Sequence, residues 1–548
     1  MERSRSDPFP PGRLPSDTGH RGDTPRPRKT NGIGPKHSTC PGRSDAEGMT
    51  PMASDGFVLA IDQGTSGTKT LIVDATGCVV AQGKADLASV FPAPGWVEQD
   101  PDAIFSSVLR SAEACLSAFR DQGRRIEAIR ACGISNQRET FVLWDETGRP
   151  VGNAVVWQCK RSVALCDRLR GSPVDRRLRE TTGLILDPYF SATKLAWMAE
   201  QDADLRAAIA AGRIHFGTVD SWLLHRMTGG RAHASDVTNA CRTLLFDIHR
   251  LDWDLDLVAA FGLEGLRLPE VHPSQHPYGA TDLDGLLPAP IPITAMIGDS
   301  HAAAFGEGCI HPGDAKATLG TGSSVLLNTG DRAVPSKAGM VTTICWALPD
   351  RTDYALEGII VSCGATLTWL RDQVGLFADS RETEQMARSV ETAGGVCLIP
   401  AFAGLGAPHW KMAARGALVG LTFGTDKRHI ARAALESIGF QIKDVIAAME
   451  RDSALPLNGL RLDGGVTGNQ FVVQFIADLL DVPVRTSAVE DVSALGAAFM
   501  AGLGCGLYGG LDTLTRLTAG GRTTIAGPER ATSARSYALW QEAVANHR

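Results

Sequence analysis

The stretch FVLAIDQGTSGTKTLIVD, Phe57 to Asp74, reads as two apolar strands around a turn of Gly, Thr and Ser, and that reading decides the fold. A third apolar run, CVVAQGKADL from Cys78, follows the turn ATG, so three consecutive strands are expected. The pattern returns in mid-chain. DAKATLGTGSSVLLN, Asp314 to Asn328, again sets a Gly/Thr/Ser turn between apolar runs, here Ala317–Leu319 and Val325–Leu327. Two strand-turn-strand units of one kind imply a duplicated architecture of mixed sheets flanked by helices, an α/β fold. Between the units the pattern predicts helices at Ala103–Phe119 and Thr193–Met198, and a buried strand, Ala128–Ser135, running into NQRET. After the second unit come the strand-like GGVCLIPAF and an amphipathic helix around Arg428–Met449. LRLDGGVTGNQFVVQFIADLL then reads as strand, glycine turn and helix.

The length of 548 residues exceeds what one core supports, so two large domains are expected, over 54–307 and 308–548. Residues 1–53 are dense in Pro, Arg, Gly, Ser and Asp with no periodic apolar face, and are expected to be disordered. Prolines and the acids Asp7, Asp17, Asp23 and Asp45 argue against a targeting helix there, and translation from Met49 or Met52 would remove the segment. A net charge of −7 gives no electrostatic footprint for nucleic acid. No window is apolar enough to span a bilayer and no signal sequence opens the chain, so a cytoplasmic protein without membrane insertion is expected. The 12 cysteines include no CxxC pair, which points to reduced, buried thiols.

Phosphate-binding turns use glycine so that backbone N–H groups can approach anionic oxygens, with Ser and Thr adding donors. DQGTSGTK meets that need: Asp62 at a strand end suits Mg²⁺ held through water, Thr65 and Ser66 suit phosphate, and Lys69 suits charge that moves during transfer. A lone turn of this kind is more often a plain hairpin. The second turn at Gly320–Ser324 reverses the balance, because two such loops can close on one nucleotide from opposite sides. A third glycine turn, DGGVTGNQF at Asp463–Phe471, suits an adenine or ribose, whereas neither a Walker loop nor a GxGxxG at a strand–helix junction is present. Transfer to an alcohol also needs a base. Asp299, where the run IPITAMIG meets a small-residue helix, is placed for it, although helix capping alone would also explain an Asp there. Arg138 and Glu139 in NQRE, Trp157 and Tyr189 could hold the hydroxyls and carbon chain of a small substrate, or be a surface ion pair and two core aromatics.

Eleven stretches in order carry a family resemblance: DQGTSGTK, PGWVEQDP, GISNQRET, VVWQCKR, GLILDPYFSATKLAW, FGTVDSWLL, NACRTLLFDIHRLDWD, GTGSS, YALEG, PAFAGLGAP and DGGVTGNQF. Together they resemble the FGGY carbohydrate kinases, most closely those acting on glycerol, from about Phe57 to Leu503. The resemblance implies two actin-like, ribonuclease-H-like ATPase domains with the active site in the cleft between them. It implies ATP and Mg²⁺ as cofactors and conversion of glycerol to sn-glycerol 3-phosphate. Polyol contacts would fall on Arg138, Glu139, Trp157, Tyr189 and Asp299, with Asp299 as general base. Nucleotide contacts would fall on Thr65, Ser66, Lys69, Thr321, Gly364, Gly465 and Asn469, and Mg²⁺ on Asp62. The family often forms dimers or tetramers.

Departures from the family pattern touch the same pocket. Glycerol-specific members usually read GDQQ and GTGCF where this chain reads GDSH and GTGSS, so Ser300, His301 and Ser324 replace two glutamines and a phenylalanine. A larger, wetter pocket is expected, its serines and His301 offering partners to extra hydroxyls. A kinase for a longer polyol or ketose (erythritol, a tetrulose, a pentulose) is therefore the alternative, and a non-catalytic actin-fold nucleotide-binding protein a further one. Thr368 stands for a glutamine on the nucleotide side. Gly279–Met296 lacks the loop and histidine through which relatives are regulated, so neither control is expected.

A chain starting at Met52 is expected to fold and work like the full-length protein, because the tail offers no packing surface. Melting temperature and turnover of the two forms check this, and a large loss in either on truncation contradicts it.

Overall fold

Phe57–Gly64 (β1), Gly67–Asp74 (β2) and Val79–Asp86 (β3) form the expected antiparallel meander. The computed structural model describes residues 56–547, so the tail of residues 1–53 lies outside the described residues. Ile129–Asn136 (β4) pairs parallel to β1, Gln275–Thr281 (β5) lies at the edge, and Ile291–Gly298 (β6) joins β5 to β4. The first sheet therefore runs β5-β6-β4-β1-β2-β3. Register decides what this sheet presents. Asp62 lies opposite Ser135, and Gly298 opposite Asn136, so β1, β4 and β6 end level with one another. Their carboxyl ends lead into DQGTSGT, QRE and Asp299, all on one side of the sheet, where ligands of such sheets bind.

The second sheet repeats the plan. Asp314–Leu319 (β7), Ser323–Gly330 (β8), Val341–Leu348 (β9), Arg351–Ile360 (β10), Gly459–Asp463 (β11), Val484–Thr486 (β12) and Arg522–Thr524 (β13) pair in the order β9-β10-β8-β7-β11-β12-β13. The core series β3-β2-β1-β4-β6 and β10-β8-β7-β11-β12 have the same order and the same mixture of antiparallel and parallel pairs. Duplication is thus a fact of topology. One reading needs correction: of GGVCLIPAF only Cys397–Ile399 is a strand, and it pairs with Ala417–Val419 in a separate two-stranded ribbon.

Seven helices matter for the site. They are Pro101–Arg120 (α1), Asp299–Gly306 (α2), Gly364–Asp372 (α3), Glu382–Arg388 (α4), Lys427–Ser453 (α5), Gln470–Leu480 (α6) and Val492–Gly504 (α7). Asp100 caps α1 through the Asp102 N–H, with Pro101 in its first turn, and α1 covers one face of the first sheet through Ile104, Val108 and Leu116. The opposite face is covered by α7, which comes from the far end of the chain. Val58, Ala60, Ala295 and Ile297 of the first sheet share one core with Ala494, Ala498 and Phe499 of α7 and with Leu326 and Trp346 of the second sheet. Small residues set the distance between α7 and its neighbours. A Cβ on Gly496 would lie 1.8 Å from the Ala302 carbonyl of α2, and one on Gly133 of β4 would lie 2.4 Å from the Ala497 carbonyl. Among the described residues no helix is long and apolar enough to cross a membrane.

Gly496→Ala is expected to destabilise the protein by about 1 to 3 kcal/mol, despite alanine's helix preference, because backbone must move to admit the methyl group. Gly468→Ala, where a Cβ meets nothing within 4 Å, serves as the control. Urea unfolding of the two variants checks this, and equal midpoints contradict the contact.

Candidate active site

Arg138 and Glu139 stand on the turn after β4, and this turn is held in a costly conformation. Glu139 has φ 61° and the Thr140 N–H donates to the Arg138 carbonyl at 2.7 Å. Its side chain explains why the turn persists: the Glu139 carboxylate accepts from Arg242 Nε at 2.7 Å inside the protein, and both groups are buried. Arg138 Nε donates to Asp299 Oδ1 at 3.2 Å. Its Nη1 and Nη2 donate to Glu357 at 3.3 and 2.9 Å. Arg242 Nη1 lies 2.8 Å from the same Glu357 as an ion pair without hydrogen-bond geometry. Burial alone would raise the Glu357 carboxyl, but Arg138 and Arg242 hold it well below the usual range. Glu139 is pushed up by burial against the pull of Arg242 and Arg138.

Asp299 opens α2. The Ser300 N–H and Arg138 Nε both donate to Oδ1, at 2.6 and 3.2 Å, and Oδ2 has no partner among the described residues. The strand before it is pinned too, since the Gly298 N–H donates to Thr238 Oγ1 at 2.8 Å and Thr238 in turn donates to the buried Asp236. Asp62, at the end of β1, accepts from Ser135 Oγ at 2.9 Å. Burial, then repulsion from Asp299, pushes its carboxyl up to about 6.

The aromatic pair joins this cluster. Trp157 and Tyr189 rings meet edge to face at 5.4 Å, and Trp157 Nε1 donates to Thr65 Oγ1 at 2.9 Å. Thr65, expected on the phosphate, therefore braces the wall expected on the carbon chain. It also donates to Gln137, part of a buried amide network with Gln63 and Gln99 that sequence reading did not single out. Ser66 is exposed at the tip of the turn. Lys69 differs from expectation: it is engaged in an ion pair with Asp491, which Lys84 also approaches, because the residue just ahead of α7 lies opposite the hairpin.

Two residues of the altered pocket have surroundings that the sequence did not suggest. Ser324 Oγ donates to Glu357 Oε1 at 2.9 Å, so its proton is given to the protein and only its oxygen can serve a ligand. His301 is fully buried on α2 with both ring nitrogens unpaired, and burial together with Arg138 lowers its pKa well below the ordinary value. It offers nothing to an open cavity. Ser300 alone of the three is partly exposed.

The other glycine turns build a separate wall. Thr321, Gly364, Gly465 and Asn469 line one pocket of about 590 Å³, with Leu367 and Val466 also on its wall. Local chemistry shapes it: the N–H groups of Cys363 and Gly364 at the start of α3 donate to the carbonyls of Thr321 and Gly320 at 2.9 Å. Asn469 caps α6 and donates to Thr383, and the Gln470 N–H donates to Glu384 at 2.9 Å, which ties α4 to the pocket. Arg381 and Glu384, also lining it, were not foreseen, since nothing in their own stretch is glycine-rich. Thr368 lines the pocket with its hydroxyl turned back to the Gly364 carbonyl at 3.3 Å.

Two mixed sheets of one topology, each ending in a glycine turn, with a carboxylate and a guanidinium facing each other at the first, define a sugar-kinase-like site. Comparison with known proteins agrees. The N-terminal domain model of the FGGY family of carbohydrate kinases matches residues 57–306 and its C-terminal domain model matches residues 315–505, and the chain belongs to this family. A glycerol kinase of Symbiobacterium thermophilum is 46% identical over 493 residues, 89% of this chain and 98% of that protein. A glycerol kinase of Rhodospirillum centenum is 46% identical over 490 residues, covering 89% and 97%. The crystal structure of Plasmodium falciparum glycerol kinase with ADP superposes with a TM-score of 0.84 at 32% identity, covering 89% and 97%.

Asp62 gives a pH prediction. Its folded pKa is raised from 3.8 to about 6, so the native state binds the proton more tightly than the unfolded chain. Stability contributed by this group is greatest below the unfolded value and falls as pH rises through the folded one. Asp62→Asn is expected to remove that decline and to gain on the order of 1 to 2 kcal/mol over wild type above the upper end of the window. Urea unfolding across this range checks it, and parallel pH profiles for the two proteins contradict it.

Proposed function

We propose that this protein transfers the γ-phosphoryl group of ATP to a terminal hydroxyl of glycerol, giving sn-glycerol 3-phosphate and ADP. The observation that carries this reading is the state of Asp299: one oxygen is fixed by Arg138 and Ser300, and the other is open at the carboxyl ends of β1, β4 and β6. A carboxylate so held accepts the hydroxyl proton while the hydroxyl oxygen forms its bond to phosphorus and the bond to the β-phosphate bridge breaks. Arg138 and Glu139 hold the neighbouring hydroxyls, and Trp157 with Tyr189 covers the carbon chain. Similarity to glycerol kinases over nearly the whole chain supports the choice of polyol.

ATP lies in the pocket formed by Thr321, Gly364, Gly465 and Asn469, with its phosphates directed at the turn Gly64–Gly67. Mg²⁺, when bound, neutralises phosphate charge. Asp62 would hold it through water, and the donor set fits: Asp62 and Asp299 repel each other, a strain that a divalent cation relieves. Among the described residues no group of three or more His, Cys, Asp or Glu forms a metal cage, which suits an ion that takes few carboxylates and completes its shell with phosphate and water. The two jaws are the halves 54–307 and 308–548. A cytoplasmic location agrees with the thiols of Cys115, Cys132, Cys159, Cys166, Cys241, Cys309, Cys345, Cys363 and Cys397, which are free and buried. No observation favours the longer polyols and ketoses, because His301 is fully buried and the Ser324 hydroxyl donates to Glu357.

Asp299→Asn is expected to lower kcat by about 10²- to 10⁴-fold while ATP still binds, because the amide keeps the shape and cannot take the proton. Retention of more than about half the turnover, a loss far below that range, would show that another group is the base. Steady-state kinetics and nucleotide titration together read both.

A further inference from the structure

Glu357 stands on β10 in the second sheet, yet the cations it binds come from the first half of the chain. Arg138 reaches it with two nitrogens, at 3.3 and 2.9 Å, and Arg242 with one, at 2.8 Å. The remaining contact is Ser324 Oγ, at 2.9 Å, from β8 in its own sheet. We propose that Glu357 is the positioning residue of the polyol grip, and that the Ser324–Glu357 hydrogen bond couples polyol binding to occupation of the nucleotide pocket. The inference rests on the reading of the protein as a glycerol kinase and adds to it a residue and a coupling.

Donor arithmetic makes the positioning argument. A guanidinium has five N–H groups. Arg138 spends one on Asp299 and two on Glu357, and the two that remain point away from Glu357, where hydroxyls of a substrate can use them. Because Glu357 grips both terminal nitrogens, the guanidinium plane cannot turn. Without Glu357 it would be free to swing its terminal nitrogens toward Asp299 and compete for the oxygen that must stay open.

Coupling follows from where Ser324 sits. It is the second residue of β8, three positions after Thr321, and the turn between them is bonded to the start of α3 on the wall of the nucleotide pocket. Ser324 and Arg138 Nη2 share one oxygen of Glu357, so the serine fixes the rotation of the carboxylate that fixes the arginine. A ligand that orders the Gly320–Gly322 turn therefore orders the grip, and by reciprocity glycerol tightens the nucleotide by the same factor.

The test is calorimetric. Glycerol binding is measured with and without a non-hydrolysable ATP analogue for wild type, Ser324→Ala and Glu357→Gln, with melting temperatures alongside. The analogue is expected to tighten glycerol about 5-fold or more in wild type. Ser324→Ala is expected to bring that factor below about 2, with melting kept within about 3 °C. Glu357→Gln is expected to weaken glycerol about 10-fold or more. If that variant does not fold, Ser324→Ala decides alone, since it removes one hydroxyl. Undiminished coupling in Ser324→Ala, or an unchanged glycerol affinity in a folded Glu357→Gln, overturns the inference. A wild type that binds no glycerol overturns the glycerol reading itself, and this inference with it, and the two failures are told apart by the first measurement.

Discussion

Two guanidinium groups, Arg138 and Arg242, are buried against two carboxylates, Glu139 and Glu357, and the rest of the site depends on that balance. Charges removed from water are tolerated when each finds its opposite, and here each does, with hydrogen-bond geometry for Arg138 to Glu357 and Arg242 Nε to Glu139 and as a bare ion pair for Arg242 Nη1 to Glu357. The consequence is rigidity in the right places. Glu139 can stay in left-handed backbone because its carboxylate is anchored, Arg138 keeps its plane because Glu357 holds its end, and Asp299 keeps one oxygen open because Arg138 occupies the other. Removing any member leaves its neighbours short of an opposite charge, because Arg138, Arg242 and Glu357 each face two charged partners, which is why the network acts as a unit.

The duplicated sheets explain how the members meet. In each, parallel strands ending level with one another bring their following turns to one side: DQGTSGT, QRE and Asp299 at the first sheet, and the turns after β7 and β11, which share one pocket, at the second. α7 then holds the first sheet against the second through a core shared by both, its glycine and alanines letting backbones approach as closely as side chains would elsewhere. Asp491 at its start adds the ion pair to Lys69, tying the last part of the chain to the first hairpin. Fold and site are therefore one arrangement: the strands that make the core also set the register of the chemistry.

Much of this was legible in the sequence. Alternation around DQGTSGT and GTGSS gave both hairpins; glycine turns picked out Thr321, Gly465 and Asn469, the family resemblance added Gly364, and the four share a pocket. Glu357 and Arg242 were in view within YALEG and NACRTLLFD but gained no role, because their partners lie 219 and 103 residues away and ion pairing leaves no local signature. The partner of Ser324 was hidden for a related reason: loss of a large side chain predicts space, and nothing local shows that the hydroxyl bonds a carboxylate from the neighbouring strand. The docking of α7 was equally hidden, since VSALGAAFMAG is apolar and small on every side and shows no single face to match to a sheet.

The most direct test of the charge balance is a double-mutant cycle on glycerol affinity using Glu357→Gln, Arg242→Met and the two together. If the buried charges stabilise one another, each single change leaves the other group short of one opposite charge and the pair of changes costs less than the sum, by about 1 to 3 kcal/mol. Strictly additive losses would contradict it, showing that Glu357 and Arg242 act on the site independently and that no shared balance holds the grip.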